Sequence, residues 1–306
     1  MFSGFGGVCS GFKDAGYELV GAVERDAYAA KTYELNFGSC ALEDVCDHNY
    51  RQVHTDHLHG SPSCKEFSRA NPRGGESESD ILCSKAFIRA IVQTECSTVS
   101  LENVREYKDS KSFALIKSVL RDLGFATNVA NINAKDFGVP QSRERLILRA
   151  WLKNSKRPRP LSLYKTKQHI GWYEAIADII PTLKPLPLNG WQLASLAEQG
   201  ISVEGLTALV SKDGSRKKKG FISTFALLIP PEKPCPTLKA LGHSQHCQQY
   251  SIVVDGVGYR ISTQAIARLM SFPNSFKFLG TNYTDCMGLG NAVPPLLGRA
   301  IAQSFN

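Results

Sequence analysis

Short apolar runs alternate with amphipathic helical patterns through the first half of the chain. Apolar residues that recur every second position predict strands, and those that recur every third or fourth position predict helices. The predicted strands are residues 17–24, 98–102, 125–133 and 144–150, and the predicted helices are residues 27–36, 80–93 and 111–123. An alternation of strands and helices is typical of βαβ units, so it indicates an α/β fold.

The pattern changes after Trp151. Residues 156–160 read Lys-Arg-Pro-Arg-Pro and cannot continue a helix or a central strand, because proline lacks an amide proton. Proline and short polar loops then recur up to residue 258, and helical patterns return at residues 263–271 and 293–305. We therefore predict a first domain, a smaller irregular domain, and a C-terminal segment that returns to the first domain. Their predicted bounds are residues 1–154, 155–258 and 259–306.

Charge is distributed unevenly between the two halves. Residues 1–150 carry 18 Lys and Arg against 20 Asp and Glu, a net charge of −2, whereas residues 151–306 carry 18 against 8, a net charge of +10. The densest basic run is Arg216-Lys217-Lys218-Lys219. A near-neutral half joined to a basic half indicates that the second half meets a polyanion, although a solvated basic surface would have the same composition.

Other composition signals exclude several classes of protein. No apolar run approaches the roughly 18 residues that span a bilayer, and the N-terminus lacks the features of a signal peptide. We therefore expect a cytoplasmic protein with no membrane partner. The nine cysteines contain no Cys-x-x-Cys pair, and the spacing of His48, His54, His57 and His59 fits a strand edge better than a ligand cage. No metal site is expected.

The first candidate site is the turn Gly4-Phe5-Gly6-Gly7, which lies between a short predicted strand and a helix. Glycines in such a turn allow the backbone to approach a ligand at a helix N-terminus. Glu24 follows 20 residues after Gly4, at the end of the next predicted strand, where a carboxylate can accept both hydroxyls of a ribose. This pattern suits a dinucleotide or S-adenosylmethionine. The full G-x-G-x-x-G pattern is absent.

The second candidate site combines three separate motifs. Cys64 lies on a short loop after an apolar stretch, Glu102 lies at the end of a predicted strand, and Arg143 and Arg145 lie in a Gln-Ser-Arg-Glu-Arg run. Together they could supply a nucleophile, a proton donor and an anchor for a planar polar substrate.

In their order and spacing these motifs resemble those of the DNA cytosine-5 methyltransferases, over almost the whole chain. Eight motifs carry the resemblance: residues 2–7, Glu24-Arg25-Asp26, Asp44-Val45, Gly60-Ser61-Pro62-Ser63-Cys64, Glu102-Asn103-Val104, residues 141–145, residues 268–273 and residues 290–295.

The resemblance implies a Rossmann-like α/β methyltransferase fold with a smaller, irregular target-recognition domain. It implies transfer of a methyl group from S-adenosylmethionine to C5 of a cytosine flipped out of duplex DNA. Cys64 would add to C6 and Glu102 would protonate N3, while Arg145 would hold the cytosine carbonyl and Arg143 a neighbouring phosphate. The implied cofactor residues are Phe2, Gly4, Phe5, Gly6, Gly7, Glu24, Arg25, Asp44, Val45, Pro62, Asn291 and Ala292.

Two features depart from the family pattern. Ser63 stands where the family usually has proline, so one backbone angle of the cysteine loop is less restricted. Met1 stands immediately before Phe2, so the first, central strand would be nearly missing. We therefore expect weak cofactor binding and a low melting temperature, both raised by β-branched residues and an acidic residue placed ahead of Met1.

Three alternatives stay open. A transfer-RNA cytosine methyltransferase would share the motifs, although the Cys-Phe-Thr tripeptide usual in that group is absent. A DNA-binding relic without activity would follow from a defective first strand. A nicotinamide dehydrogenase is the weakest reading, because its glycine pattern is incomplete. By resemblance the protein would act as a monomer on double-stranded DNA, with a cognate restriction enzyme as a further partner.

Overall fold

A computed structural model describes residues 1–62, 76–154, 159–218 and 221–306. Its helices are α1 (Gly7–Asp14), α2 (Ala27–Phe37), α3 (Glu78–Thr94), α4 (Lys111–Asp122), α5 (Trp172–Ile176), α6 (Gly190–Glu198), α7 (His243–Gln249), α8 (Thr263–Leu269), α9 (Asn282–Asn291) and α10 (Pro295–Gln303). Its strands are β1 (Val23–Glu24), β2 (Ala41–Leu42), β3 (His57–Gly60), β4 (Thr98–Asn103), β5 (Phe125–Asn133), β6 (Glu144–Leu152), β7 (Ala208–Lys218), β8 (Phe221–Ile229), β9 (Tyr250–Val254) and β10 (Val257–Arg260). Most helices and strands of the first half start and end within two residues of the predicted bounds.

A four-stranded sheet in the order β3-β4-β6-β5 forms the centre of the first half. The strands β3 and β4 run parallel, whereas β6 runs antiparallel to both β4 and β5. Apolar side chains of β4 and β6 on one face of this sheet pack against α3 and α4. The other face meets α1 and α10. Both faces are covered by helices, which agrees with the predicted α/β class.

The chain start lies between this sheet and the separate parallel pair β1–β2. Ser3 N–H donates to the Val23 carbonyl at 3.2 Å, and the Met1 ammonium donates to the His59 carbonyl at 2.8 Å. Residues 18–21 make no backbone hydrogen bond within the described part of the chain. The predicted strand 17–24 is therefore wrong in extent. Only Val23 and Glu24 are strand, because the preceding residues have no strand beside them.

The basic half is more regular than predicted. It contains an antiparallel sheet in the order β10-β9-β7-β8, where the sequence analysis expected irregular structure. An irregularity between Ser211 and Gly214 shifts the register of β7 against β8. Because this shift interrupts the period-two alternation, the strands are hard to see in the sequence. The strand β10 also runs across the predicted boundary between residues 258 and 259.

The C-terminal helices contact both halves. Residues of α8 and α9 share an apolar cluster with β7 and β9, while α10 packs against α1. The contact between α1 and α10 depends on glycine, since a Cβ placed on Gly11 would overlap the backbone of Pro295 and Arg299. Among the described residues no helix is long and apolar enough to cross a membrane.

The close approach of α1 and α10 generates a stability prediction. Gly11→Ala should lower the free energy of unfolding by about 2 kcal/mol, because the overlap with helix backbone outweighs the gain of about 1 kcal/mol in helix propensity. Gly190→Ala is the control, since a Cβ there meets open space. Urea denaturation of both variants measures the difference. Equal free energies of unfolding for the two variants would show that α1 and α10 can move apart without an energetic cost.

Candidate active site

One cleft of about 1470 Å³ lies between the two sheets of the first half and the turn before α10. It brings together most of the predicted site residues, although they come from seven separate parts of the sequence. Those on its wall are Phe2, Gly4, Phe5, Gly7, Glu24, Arg25, Asp44, Val45, Pro62, Glu102, Arg143, Arg145, Asn291 and Ala292. Gly6 is not on the wall, and Cys64 lies outside the described residues.

The glycine turn and Glu24 form one hydrogen-bonded unit. Gly4 has a φ angle of +51°, a conformation that side chains with a Cβ rarely adopt. One Glu24 carboxylate oxygen accepts the Gly4 N–H at 2.9 Å, and the other accepts the Asp26 N–H at 3.0 Å. These two bonds hold the carboxylate in the cleft close to the N-terminus of α1. The turn, the helix end and the carboxylate fit the predicted site for a nucleoside.

Two residues of the turn pack closely against aromatic side chains. The Phe5 ring is 2% exposed and packs against Tyr28, Phe278 and the backbone of Gly288. A Cβ placed on Gly6 would overlap the ring of Phe37, and its φ angle is +83°. The Phe5 ring therefore faces the core, and the contacts of Phe5 and Gly6 with a cofactor stay predictions.

The loop that carries Asp44 and Val45 is held by two arginines. Asp44 accepts the Cys46 N–H at 2.9 Å and pairs with Arg25 at 3.3 Å, and these contacts lower the pKa of its carboxyl group. Arg89 of α3 donates to the Val45 carbonyl at 3.0 Å and to the Cys46 carbonyl at 2.6 Å. The sequence analysis missed Arg89, because an arginine on a helix gives no sign of which loop it reaches.

Glu102 and Arg145 form an ion pair at the end of β4. The Arg145 Nε and the Glu102 Oε1 are 2.9 Å apart, and the two side chains are only 12% and 8% exposed. Beside them the Asn103 side chain donates to the Pro62 carbonyl at 3.1 Å. This bond fixes the chain two residues before Cys64.

The Arg143 side chain makes several contacts within the protein. Its side chain is buried, and it donates to the carbonyls of Leu238, Gly290 and Ala292 at 3.3, 3.0 and 3.1 Å. All three carbonyls belong to the basic half: Leu238 precedes α7, Gly290 lies in the last turn of α9, and Ala292 follows α9. Arg143 thus joins three parts of the chain through its buried guanidinium, and its contact with a phosphate stays a prediction.

A second set of bonds joins the same parts. Cys235 N–H donates to the Pro140 carbonyl at 3.0 Å, and Ser142 N–H donates to the Cys235 carbonyl at 2.8 Å. The Thr237 hydroxyl donates to the Ser142 carbonyl at 2.7 Å. The residues before Arg143 thus pair with a segment of the basic half in the manner of two strands.

Two other predictions concern charge and metals. Lys219 lies outside the described residues, and Arg216 to Lys218 are described only as backbone of β7, so contact of this run with phosphate stays a prediction. Within the described residues no group of three or more His, Cys, Asp or Glu side chains is placed to hold a metal ion.

Comparison with known proteins identifies the family. The family model for C-5 cytosine-specific DNA methylases matches residues 1–306. The type II methyltransferase M.AplI of Arthrospira platensis is 30% identical, over 99% of this chain and 84% of its own length. The type II methyltransferase M.HhaI of Haemophilus parahaemolyticus is 23% identical, over 96% and 89%. The chain belongs to the C-5 cytosine-specific DNA methylase family, and it is a DNA cytosine-5 methyltransferase by that membership.

Solved structures show the same fold. A protein described as a DNA modification methyltransferase of an E. coli prophage superposes with a TM-score of 0.70 at 19% identity, covering 99% of this chain and 96% of its own. The Dnmt2 methyltransferase of S. pombe superposes with a TM-score of 0.65 at 15% identity, covering 98% and 95%. These likenesses confirm the predicted α/β methyltransferase fold.

The buried position of Arg143 generates a second prediction. Arg143→Met should lower the free energy of unfolding by at least about 2 kcal/mol, because three carbonyls lose a charged donor. Arg121→Met is the control, since the Arg121 side chain is 73% exposed. Thermal denaturation measures the effect. Unchanged stability of the Arg143→Met variant, together with DNA binding that is weaker and depends less on salt, would instead support contact of Arg143 with a phosphate.

Proposed function

We propose that the protein transfers a methyl group from S-adenosylmethionine to C5 of cytosine in duplex DNA, through a covalent bond between Cys64 and C6. The observation that carries this proposal is the buried Glu102–Arg145 pair beside the Pro62 carbonyl held by Asn103. These contacts place a carboxyl group, a guanidinium and the start of the cysteine loop at the same end of β3 and β4.

The reaction requires this set of groups because cytosine C5 is a poor nucleophile. Addition of the Cys64 thiolate to C6 moves electron density onto C5, and a proton from Glu102 to N3 makes the addition feasible. Arg145, which holds Glu102 in position, would also donate to the cytosine carbonyl. When bound, S-adenosylmethionine supplies the electrophilic methyl group.

The cleft fits the cofactor in size and in polarity. Its volume exceeds that of a ligand of this kind, and ligand sites of about 300–1,000 Å³ are common. Glu24 would accept the ribose hydroxyls, since its carboxylate is fixed by the Gly4 and Asp26 amides. The Asp44 carboxylate, whose pKa is lowered first by the Cys46 amide, would accept from the adenine edge.

Duplex DNA is the proposed substrate because charge and topology agree. Residues 151–306 carry the net charge of +10, and the sheet β10-β9-β7-β8 lies in this half. Basic side chains there would contact phosphates, while polar side chains of its loops would reach base edges. The target cytosine must leave the stack, at a cost of a few kcal/mol, to reach Glu102. We propose that one protomer does this alone and that residues 155–258 form the recognition domain.

The nucleophile prediction uses a single atom change. Cys64→Ser should reduce methyl transfer to less than about a thousandth of the wild-type rate, because a hydroxyl near its ordinary pKa is a far weaker nucleophile than a thiolate. Transfer of label from S-adenosylmethionine to duplex DNA and to transfer RNA measures the rate and the substrate. Cys247→Ser is the control. Near-normal turnover by the Cys64→Ser variant would show that this cysteine is structural. Transfer of label to transfer RNA alone would show that transfer RNA, and not DNA, is the substrate.

Glu102 carries a separate prediction. Glu102→Gln should lower the single-turnover rate by about 10²–10⁴-fold and change DNA affinity much less, because an amide binds the base but cannot protonate N3. Glu144→Gln is the control, since that neighbouring carboxylate is exposed and pairs with Arg105 at 3.7 Å. Equal losses of affinity and rate would mark Glu102 as a residue that only positions the base.

A further inference from the structure

A line of polar side chains crosses one face of the β3–β4 pair. His57 Nε2 lies 2.8 Å from the Ser100 hydroxyl, and the same hydroxyl lies 2.8 Å from His59 Nδ1. His59 Nε2 lies 3.1 Å from the Ser61 hydroxyl. We call His57, Ser100, His59 and Ser61 the histidine–serine chain. None of the reaction steps above uses it.

The protons of this chain have a defined order. The Thr98 hydroxyl donates its single proton to the Asp56 carbonyl at 2.9 Å, so it must accept from His57 Nδ1, which is 2.9 Å away. A neutral His57 then accepts at Nε2 from Ser100. Because Ser100 has given its single proton to His57, it accepts from His59 Nδ1. The other nitrogen of His59, Nε2, then carries no proton and accepts from Ser61.

A second proton on His57 reverses every bond of the chain. The His57 Nε2–H then donates to Ser100, and Ser100 donates to His59 Nδ1. His59 changes tautomer and donates from Nε2 to Ser61. The Ser61 hydroxyl proton is thereby free to point away from His59. The two hydrogen-bond orders differ by one proton, and no heavy atom has to move between them.

Continued by one position, the β3–β4 register places Ser61 opposite Glu102. In the parallel register His59 pairs with Ser100 and Gly60 pairs with Leu101, so the following positions are Ser61 and Glu102. The Asn103–Pro62 bond keeps the two chains side by side one residue further. Side chains at alternate positions share a face, so Ser61 and Glu102 lie on the face that carries the chain. Both also line the cleft.

We propose that the histidine–serine chain is a proton relay between His57 and Glu102, with Ser61 as the group that exchanges the proton with the Glu102 carboxylate. The relay deepens the proposed function, since it supplies Glu102 with the proton that Glu102 gives to cytosine N3, and that proton returns to Glu102 when the Cys64–C6 bond breaks. In one passage the His57 Nε2–H bond breaks and an O–H bond forms on Glu102. Each intervening group accepts one proton and donates one, so nothing is oxidised or reduced.

The surroundings favour a tautomer change at His59 over a lasting charge there. Burial, the Met1 ammonium and His57 hold the pKa of His59 well below its usual value. The Met1 ammonium donates to the His59 carbonyl, and Cys9 nearby is kept a neutral thiol by burial, which raises its pKa. A neutral residue of this kind passes a proton without storing it.

Arg149 of β6 and three aromatic rings face the rest of the chain. Arg149 of β6 lies opposite Ser100 in the β4–β6 register, and its guanidinium donates to the Asn128 side chain at 2.8 Å. The His57 ring contacts Phe12 of α1, Phe305 and Tyr17, with ring centroids 4.9, 4.7 and 6.1 Å apart. Glu102 and Arg145 are the charged groups at the other end.

The test interrupts the chain at its centre and at its end. Ser100→Ala and Ser61→Ala should each slow single-turnover methylation of duplex DNA at least 10-fold, with unchanged DNA affinity, a reduced solvent deuterium isotope effect and a changed pH–rate profile. Ser84→Ala is the control, because this hydroxyl is also fully buried but bonds to Asp80 and Tyr107 on the other side of the sheet. Wild-type rates and pH profiles in both variants would overturn the relay. Parallel losses of rate, affinity and melting temperature would overturn it too, as the sign of a structural role.

A second measurement separates the relay from the proposed function. The imidazole ¹⁵N shifts of His59 should show an unprotonated Nε2 when His57 is neutral and an unprotonated Nδ1 when His57 is protonated. A His59 that keeps one tautomer while His57 titrates contradicts the relay whatever the substrate. A protein that shows this exchange of tautomers but transfers no methyl group to DNA would support the relay and refute the proposed function.

Discussion

The buried guanidinium of Arg143 is the contact on which the arrangement of the active site depends. It donates to backbone carbonyls at Leu238, Gly290 and Ala292, which all belong to the basic half. A buried charge is costly unless its donors are used, so these bonds strongly favour one placement of the three segments. Arg145 lies two residues after Arg143, in β6, where the pairing of β6 with β4 brings it to Glu102. The geometry of the site thus depends both on this pairing and on how Arg143 joins the halves.

The central sheet divides its two faces between stability and chemistry. Val99 and Leu101 of β4 are fully buried under α3 and α4, whereas Ser100 and Glu102 alternate with them and face the opposite side. There the hydroxyls and imidazoles satisfy one another, which removes most of the cost of burying them. A polar line inside an otherwise apolar layer is easier to explain by function than by stability, because apolar side chains of similar size would avoid the need for partners.

The predictable parts of the molecule are those with a local signal. Helices such as α3 and α4 follow from apolar residues at helical spacing, and the glycine turn with Glu24 follows from residue type and distance along the chain. The direction of the Arg143 side chain has no such signal, because the sequence does not show whether an arginine faces a phosphate or a backbone carbonyl. The chain of His57, His59 and Ser100 joins residues about 40 positions apart, so it appears only once the β3–β4 register is known. Burial of the Phe5 ring likewise depends on α9, which lies at the far end of the sequence.

Covalent capture of the nucleophile is the sharpest test of methyl transfer through Cys64. The protein is incubated with S-adenosylmethionine and a duplex in which every cytosine of one strand is 5-fluorocytosine, because fluorine at C5 cannot leave as a proton does. Mass spectrometry of the intact protein and of its peptides then locates the adduct. The account predicts one methylated oligonucleotide bound to the peptide that contains Cys64. An adduct on another cysteine, or methylation of ordinary duplex DNA with no adduct on the fluorinated one, would contradict it.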